Sequence, residues 1–210
     1  NHTASPFSVL IAQDYFNTDI CIGPTEVNSN INEMLDYDKS LYQPANDVYW
    51  DPGFTADLRT NSPGSNVSYA HTALVNPRKS VKWRNTGDAT VTALGTRGTG
   101  GTFQGPTGTT GQGGQITGNP YSLSPTLELH GPTREWNGNI CFQDNHVELL
   151  TTFFPDLVSH DPGNGVGKKR DNIFSAEFGG QSRSDNWLVV CVTPQSEFST
   201  TPIWDPENTN

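Results

Sequence analysis

An all-β domain, an antiparallel sandwich of immunoglobulin-like type, is what three features of this sequence predict. The first is composition. The 210 residues include 21 Gly and 15 Pro, and only 32% are apolar, yet there are 10 Phe, 6 Tyr and 5 Trp. Helix formers are scarce, and aromatic side chains can build a core with few aliphatics. The second feature is the stretch Asn139-Ile-Cys-Phe-Gln-Asp-Asn-His-Val-Glu-Leu-Leu150, which reads as a β-hairpin. Its turn is placed at Asp144-Asn145, because both residue types tolerate the positive φ of a type I′ turn. Pairing outward from that turn puts Ile140, Phe142, Val147 and Leu149 on a buried face and Cys141, Gln143, His146 and Glu148 on a polar one. The third is the unalternating run Asn186-Trp-Leu-Val-Val-Cys-Val-Thr193, which predicts an interior strand covered on both sides.

Along the chain, Phe7 to Ala12 is short, apolar and rich in branched residues, and predicts a first strand with Phe7, Val9 and Ile11 on one face. Asn30 to Leu35 reads as the start of a short helix. Strands are expected at about 66–75, at Ser80 to Trp83, at Thr90 to Leu94, and, strand or extended, at Tyr121 to Leu129. Residues 95–119 are Gly/Thr-rich and read as an exposed low-complexity insertion. The resulting division is an N-terminal extension at 1–16, a sandwich domain at 17–194 and a tail at 195–210. The opening at Asn1, without Met, reads as a mature form.

The formal net charge of −10 argues against nucleic acid, which needs a basic surface. No run approaches the roughly 20 apolar residues that cross a bilayer. Cys21, Cys141 and Cys191 fit no zinc spacing, and one disulfide plus a thiol or three thiols are equally compatible with the sequence. Asp144, His146 and Glu148 read as a turn and a solvated strand face rather than a metal site. There is no Gly-x-Ser-x-Gly elbow and no His-x-x-x-His pair, so the chain reads as a non-enzyme without a cofactor. Asp36-Tyr-Asp38 and Asp161-Pro-Gly-Asn164 are candidate oxygen ligands for a structural Ca²⁺. Asn1 and Asn66 open Asn-x-Ser/Thr sequons, candidate glycosylation sites. Trp50, Trp83 and Trp136 are candidate exposed aromatics of a monomeric secreted carbohydrate-binding module, the alternative function.

The run Gly138-Asn-Ile-Cys-Phe-Gln-Asp-Asn-His-Val-Glu148 resembles the "N-V-L-F-x-D-G-H-V-E-F" signature of pilin-like proteins of planctomycete bacteria, relatives of prepilin-type and type II secretion pseudopilin subunits. Asp19-Ile-Cys-Ile-Gly-Pro24, Asn66-Val-Ser-Tyr69 and Arg170-Asp-Asn-Ile-Phe-Ser175 are similar, in the same order, to that family's "F-V-C-P", "N-V-S-Y" and "N-D-N-I-Y-T" segments. Asn145 stands where the family has its turn Gly, and no prepilin helix is recognised. The resemblance implies an extracellular or cell-surface structural subunit that polymerises with itself. With the helix unrecognised, the expected linkage is β-strand donation by residues 5–16, with Phe7, Val9, Leu10 and Ile11 filling a neighbour's groove.

Overall fold

The first element of the chain is a helix, not a strand. The computed structural model describes residues 2–58, 64–75, 78–84, 87–99, 102–103, 116–117, 123–131, 134–161, 165, 167–175 and 185–192. Helix α1 is Ala4–Ala12. Ala4, Ser8 and Ile11, buried at helical spacing, form its inner face. Pro6 falls in the first turn, where its missing N–H has no intrahelical partner to lose. Asp14 closes the helix in the left-handed conformation (φ 62°). Tyr15 N donates to Leu10 O and Asp14 N to Ile11 O, both at 3.0 Å, which is the Schellman pattern.

Five strands form one antiparallel sheet in the order β6-β5-β2-β1-β9, with β1 Tyr69–Thr72, β2 Thr92–Thr96, β5 Gly138–Phe142, β6 Val147–Leu150 and β9 Leu188–Val189. Two ribbons of two strands accompany it, β3 Thr102–Phe103 with β4 Ile116–Thr117, and β7 Ser159–His160 with β8 Lys169–Arg170. The chain is thus β-rich with few helices, as its composition predicts. Four local expectations are corrected. Ser80 to Trp83 belongs mostly to the short helix α2, Arg78–Lys82. Ile31 makes an isolated bridge to Ser65 in place of a helix start. Pro125–Glu128 is a 3₁₀ turn capped by Ser124. Arg97 and Thr99, at the head of the low-complexity stretch, are buried. The tail, 195–210, lies outside the described residues.

The principal core lies on one face of the sheet. Ala70, Ile140, Phe142, Leu150 and Leu188 pack there against Phe153, Phe154, Val158, Ile173 and Phe174. Trp136, Phe153 and Phe174 meet edge to face, with ring centroids 4.7–5.3 Å apart. Such pairs contribute about 0.5–1.5 kcal/mol each beyond their buried area. Gly95 makes this packing possible, because a Cβ there would stand 2.5 Å from Ile140 Cδ1 and 2.6 Å from Asn139 O. Gly95→Ala is therefore expected to cost roughly 1–3 kcal/mol by overpacking. An unchanged thermal midpoint would show that the strands separate freely.

The hairpin forms where it was expected, but its register is displaced by one residue. Cys141 pairs with Val147, Ile140 with Glu148 and Asn139 with Leu149. Asn145 N donates to Phe142 O (2.9 Å) and Phe142 N to His146 O (3.0 Å), and only Asn145 has positive φ (69°). This is a three-residue loop, a turn followed by a bulge residue, instead of the two-residue type I′ turn. The slip moves every β6 side chain to the other face. Ile140 and Phe142 are buried as expected, whereas Val147 is 62% and Leu149 58% exposed. His146 instead stacks flat on Phe142, centroids 4.4 Å apart.

Strand β9 also needs correction. Trp187 to Cys191 is buried throughout, as the apolar run predicts, yet β9 ends the sheet rather than lying inside it. Its outer edge is nevertheless engaged. Leu188 N donates to Ile173 O (2.7 Å), and Thr3 N donates to Cys191 O (2.8 Å).

Candidate functional site

Cross-strand partners share a sheet face. The pairings Val189–His71, His71–Leu94, Leu94–Cys141 and Cys141–Val147 therefore draw one row across the second face. Val189 and His71 are buried, Leu94 and Cys141 half-buried, and Val147 exposed. Helix α1 meets this row at His71, toward its β1–β9 end. There the Phe7 ring meets His71 edge to face, centroids 6.4 Å apart. Ala4 and Ile11 pack with Cys21, Phe54, Ala56 and Val67, and Phe7 with them. Tyr37 ties the helix from the other side, its hydroxyl 2.8 Å from both Ser8 Oγ and Ser8 O.

The expected donor strand is corrected by this arrangement. Phe7, Val9, Leu10 and Ile11 are helical; Ile11 is buried within its own chain, Phe7 and Val9 are half-buried, and Leu10 is exposed. Burial of a side chain like Ile11 stabilises by roughly 1.5–3 kcal/mol. Strand addition by this segment would first have to unwind α1 and empty that site.

Thr3 and His71 form the latch at the head of α1. Thr3 Oγ1 accepts from Cys191 N–H (2.9 Å) and lies 3.0 Å from His71 Nε2. His71 Nδ1 is 2.8 Å from Thr72 O, which can only accept, so Nδ1 carries the proton and Nε2 accepts from the Thr3 hydroxyl. Burial pushes the His71 pKa down to about 4, against a smaller opposing effect of the Thr72 carbonyl. The imidazole is thus neutral in the folded protein.

A second buried polar cluster joins α2, β8 and β9. Arg78 and Asp185 form an ion pair with both side chains fully buried. The guanidinium carbon lies 5.0 Å from the centre of the Trp187 ring. Asp171 accepts from the backbone and side-chain amides of Asn186, and its other oxygen is 3.5 Å from His160 Nδ1. Asn186 Oδ1 in turn accepts from Thr92 N (3.0 Å). A third cluster sits at the base of the segment after Cys21. Arg97 grips Glu26 with two nitrogens at 2.6 and 2.9 Å, and Trp136 Nε1 donates to Arg97 O (2.9 Å). In each cluster the charged groups are turned inward onto backbone and side-chain partners.

All three cysteines are free thiols, so the sequence-level choice falls to three thiols. Burial, with the Asp19 carboxylate, pushes the Cys21 pKa up to about 12, and burial also raises Cys141 and Cys191. A raised thiol pKa suppresses the nucleophilic thiolate.

The remaining sequence candidates fall in separate places. Trp136 is a core residue and not an exposed aromatic. Trp50 is half-buried against the His2 and Tyr49 rings. Trp83, 49% exposed, walls a surface cleft of about 370 Å³ with Arg84, Gln143 and Asn145. A second cleft, of about 190 Å³, is lined by Glu26, Tyr69, His130 and Asn139. Asp38 caps a 3₁₀ turn, accepting from Ser40 N and Oγ, and these bonds hold its carboxyl below the usual range. Among the described residues no group of three or more His, Cys, Asp or Glu is placed to hold a metal. Asn66 spends both ends of its amide, accepting from Thr55 N and donating to Asn32 O, each at 2.9 Å. Asn1 lies outside the described residues, as do Pro162, Gly163 and Asn164 of the second candidate Ca²⁺ loop. No helix among the described residues is long and apolar enough to cross a membrane. Comparison with protein-family models, with characterised proteins and with solved structures finds no match to this chain.

Proposed function

We propose that this chain is a structural subunit of an extracellular, pilin-like bacterial filament, and that its partner is another copy of itself. The observation that carries the reading is the use made of the four segments that resemble the pilin-like family. They lie far apart in sequence and meet in one framework. Ser68 N donates to Cys21 O (2.9 Å) and Gly23 N to Ser68 Oγ (3.0 Å), joining segment 19–24 to segment 66–69. Asn139 N donates to Thr96 Oγ1 on β2, the strand between β1 and β5 (3.1 Å). Ile173 and Phe174 pack with Ile140 and Phe142. These residues are thus committed to backbone ties and packing, as a shared scaffold requires.

The finer fold reading, an immunoglobulin-like sandwich, draws support from Val158 and Ile173, which flank the β7–β8 ribbon and pack on the core face of the main sheet. Immunogold microscopy with antibody against this chain tests the function. Label running along regular surface filaments is expected. Label found only on dispersed, unassembled protein would overturn the reading.

The cleft beside Trp83 favours a second reading, carbohydrate binding, because a half-exposed indole next to planar polar side chains suits a sugar ring. On that reading the purified chain stays monomeric and its tryptophan fluorescence responds to glycan.

A further inference from the structure

We propose that β6 pairs antiparallel with β6 of a second copy, about a two-fold axis at Val147, extending the five-stranded sheet into one of ten. The inference rests on the self-assembly reading above and names the contact. The two ends of the sheet differ. Beyond β9, backbone bonds from Thr3 and to Ile173 already occupy the edge. Beyond β6, no backbone bond among the described residues engages Val147 or Leu149. His146, Glu148 and Leu150 sit in the hydrogen-bonded positions facing β5, which follows from the Phe142–His146 bond and the antiparallel alternation. The N–H and C=O groups of Val147 and Leu149 therefore point away from the sheet. No Lys or Pro stands in this edge strand, whose one charged residue is Glu148. With one end closed, continuation of the sheet between copies has a single geometry, β6 against β6, which is an isologous contact.

Charge selects the register. Centring the pair on Glu148 sets two carboxylates directly opposite each other, which is destabilising. Centring it on Leu149 sets Glu148 opposite Leu150 and Val147 opposite Thr151, which gives the carboxylate no partner. Centring it on Val147 sets Glu148 of each copy opposite His146 of the other. Glu148 has no ion pair among the described residues. His146 uses Nδ1 on Asp144 and has no partner at Nε2 among them. In this register the row His71–Leu94–Cys141–Val147 runs on into the same row of the second copy. The less buried half of that row then becomes the middle of a continuous apolar stripe. A two-fold contact closes on itself, so in a filament it would join subunits in pairs while another surface propagates the assembly.

Sedimentation of the purified chain at rising concentration tests this. A monomer–dimer equilibrium is expected for the natural sequence. Leu149→Pro removes an outward N–H and spares the bonds to β5, and should weaken the dimer at least tenfold. Glu148→Lys, on an exposed side chain, should do the same if the proline variant fails to fold. A natural chain that stays monomeric, or variants that dimerise equally well, would overturn the contact. Labelled filaments together with a strictly monomeric soluble chain would sink the β6 contact alone. Dimers lost on Glu148→Lys, with no filaments on cells, would sink the filament reading alone.

Discussion

Asp185→Ala is expected to remove about 3–5 kcal/mol of folding stability, the cost of leaving a buried charge uncompensated. A domain of this size is stable by only about 5–15 kcal/mol, so the variant should be close to unfolding at room temperature. Arg78 and Asp185 have no exposed side-chain surface. The guanidinium lies over the Trp187 ring, and an aromatic face attracts a cation by far less than a carboxylate in direct contact. Once the carboxylate is gone, the cation loses its counter-charge in a low dielectric or pulls α2 outward toward water, while Arg78 Nε keeps the backbone carbonyl of residue 185. Urea unfolding followed by tryptophan fluorescence measures the loss. The double variant Arg78→Met with Asp185→Leu should recover much of it, because it buries no charge at all. A single-variant loss below about 1 kcal/mol would mean that the surroundings hold the cation without Asp185.

That pair also shows why part of the molecule was not legible in the sequence. Arg78 and Asp185 are 107 residues apart, and nothing local marks either as buried. The same holds for Glu26 with Arg97 and for Thr3 with Cys191. What was legible was local. The hairpin was visible because two apolar strands flank a turn-forming pair, and the burial of Trp187 to Cys191 was visible because the run does not alternate. The errors arose where two geometries satisfy one pattern. Phe7, Val9 and Ile11 alternate like a strand, while Ala4, Ser8 and Ile11 keep helical spacing, and packing against Phe54 and Val67 decided for the helix. Asp144-Asn145 suits a two-residue turn, but a three-residue loop with only Asn145 left-handed suits it equally. Burial decides the register of a central strand; β6 is an edge strand with one face half open, so burial constrained it weakly. The latch residues Thr3 and His71 gave no motif, and only the tertiary fold brings them together.

Acidification should undo that latch, and the effect has a defined sign and window. In the unfolded chain His71 titrates near its ordinary value of 6.5, while in the folded chain its pKa lies at about 4. Between these values the unfolded state binds a proton that the folded state does not. Stability therefore falls as the pH drops from about 6.5 to about 4, and flattens below that. At about 1.4 kcal/mol per pH unit of difference, the full loss is about 3 kcal/mol. The cause is desolvation: an imidazolium beneath Phe7 and beside β9 would be a buried charge. His71→Gln keeps a donor toward Thr72 O and an acceptor toward the Thr3 hydroxyl, without the titration. Its stability at neutral pH should be close to that of the natural chain, and the difference between the two unfolding free energies should open only below pH 6.5. Because His71 holds Thr3, and Thr3 holds the start of α1, hydrogen-exchange protection in residues 2–15, taken relative to the intrinsic amide rate at each pH, should fall in the same window before the rest of the sheet responds. Parallel acid profiles for the two chains would show that the proton is taken up elsewhere.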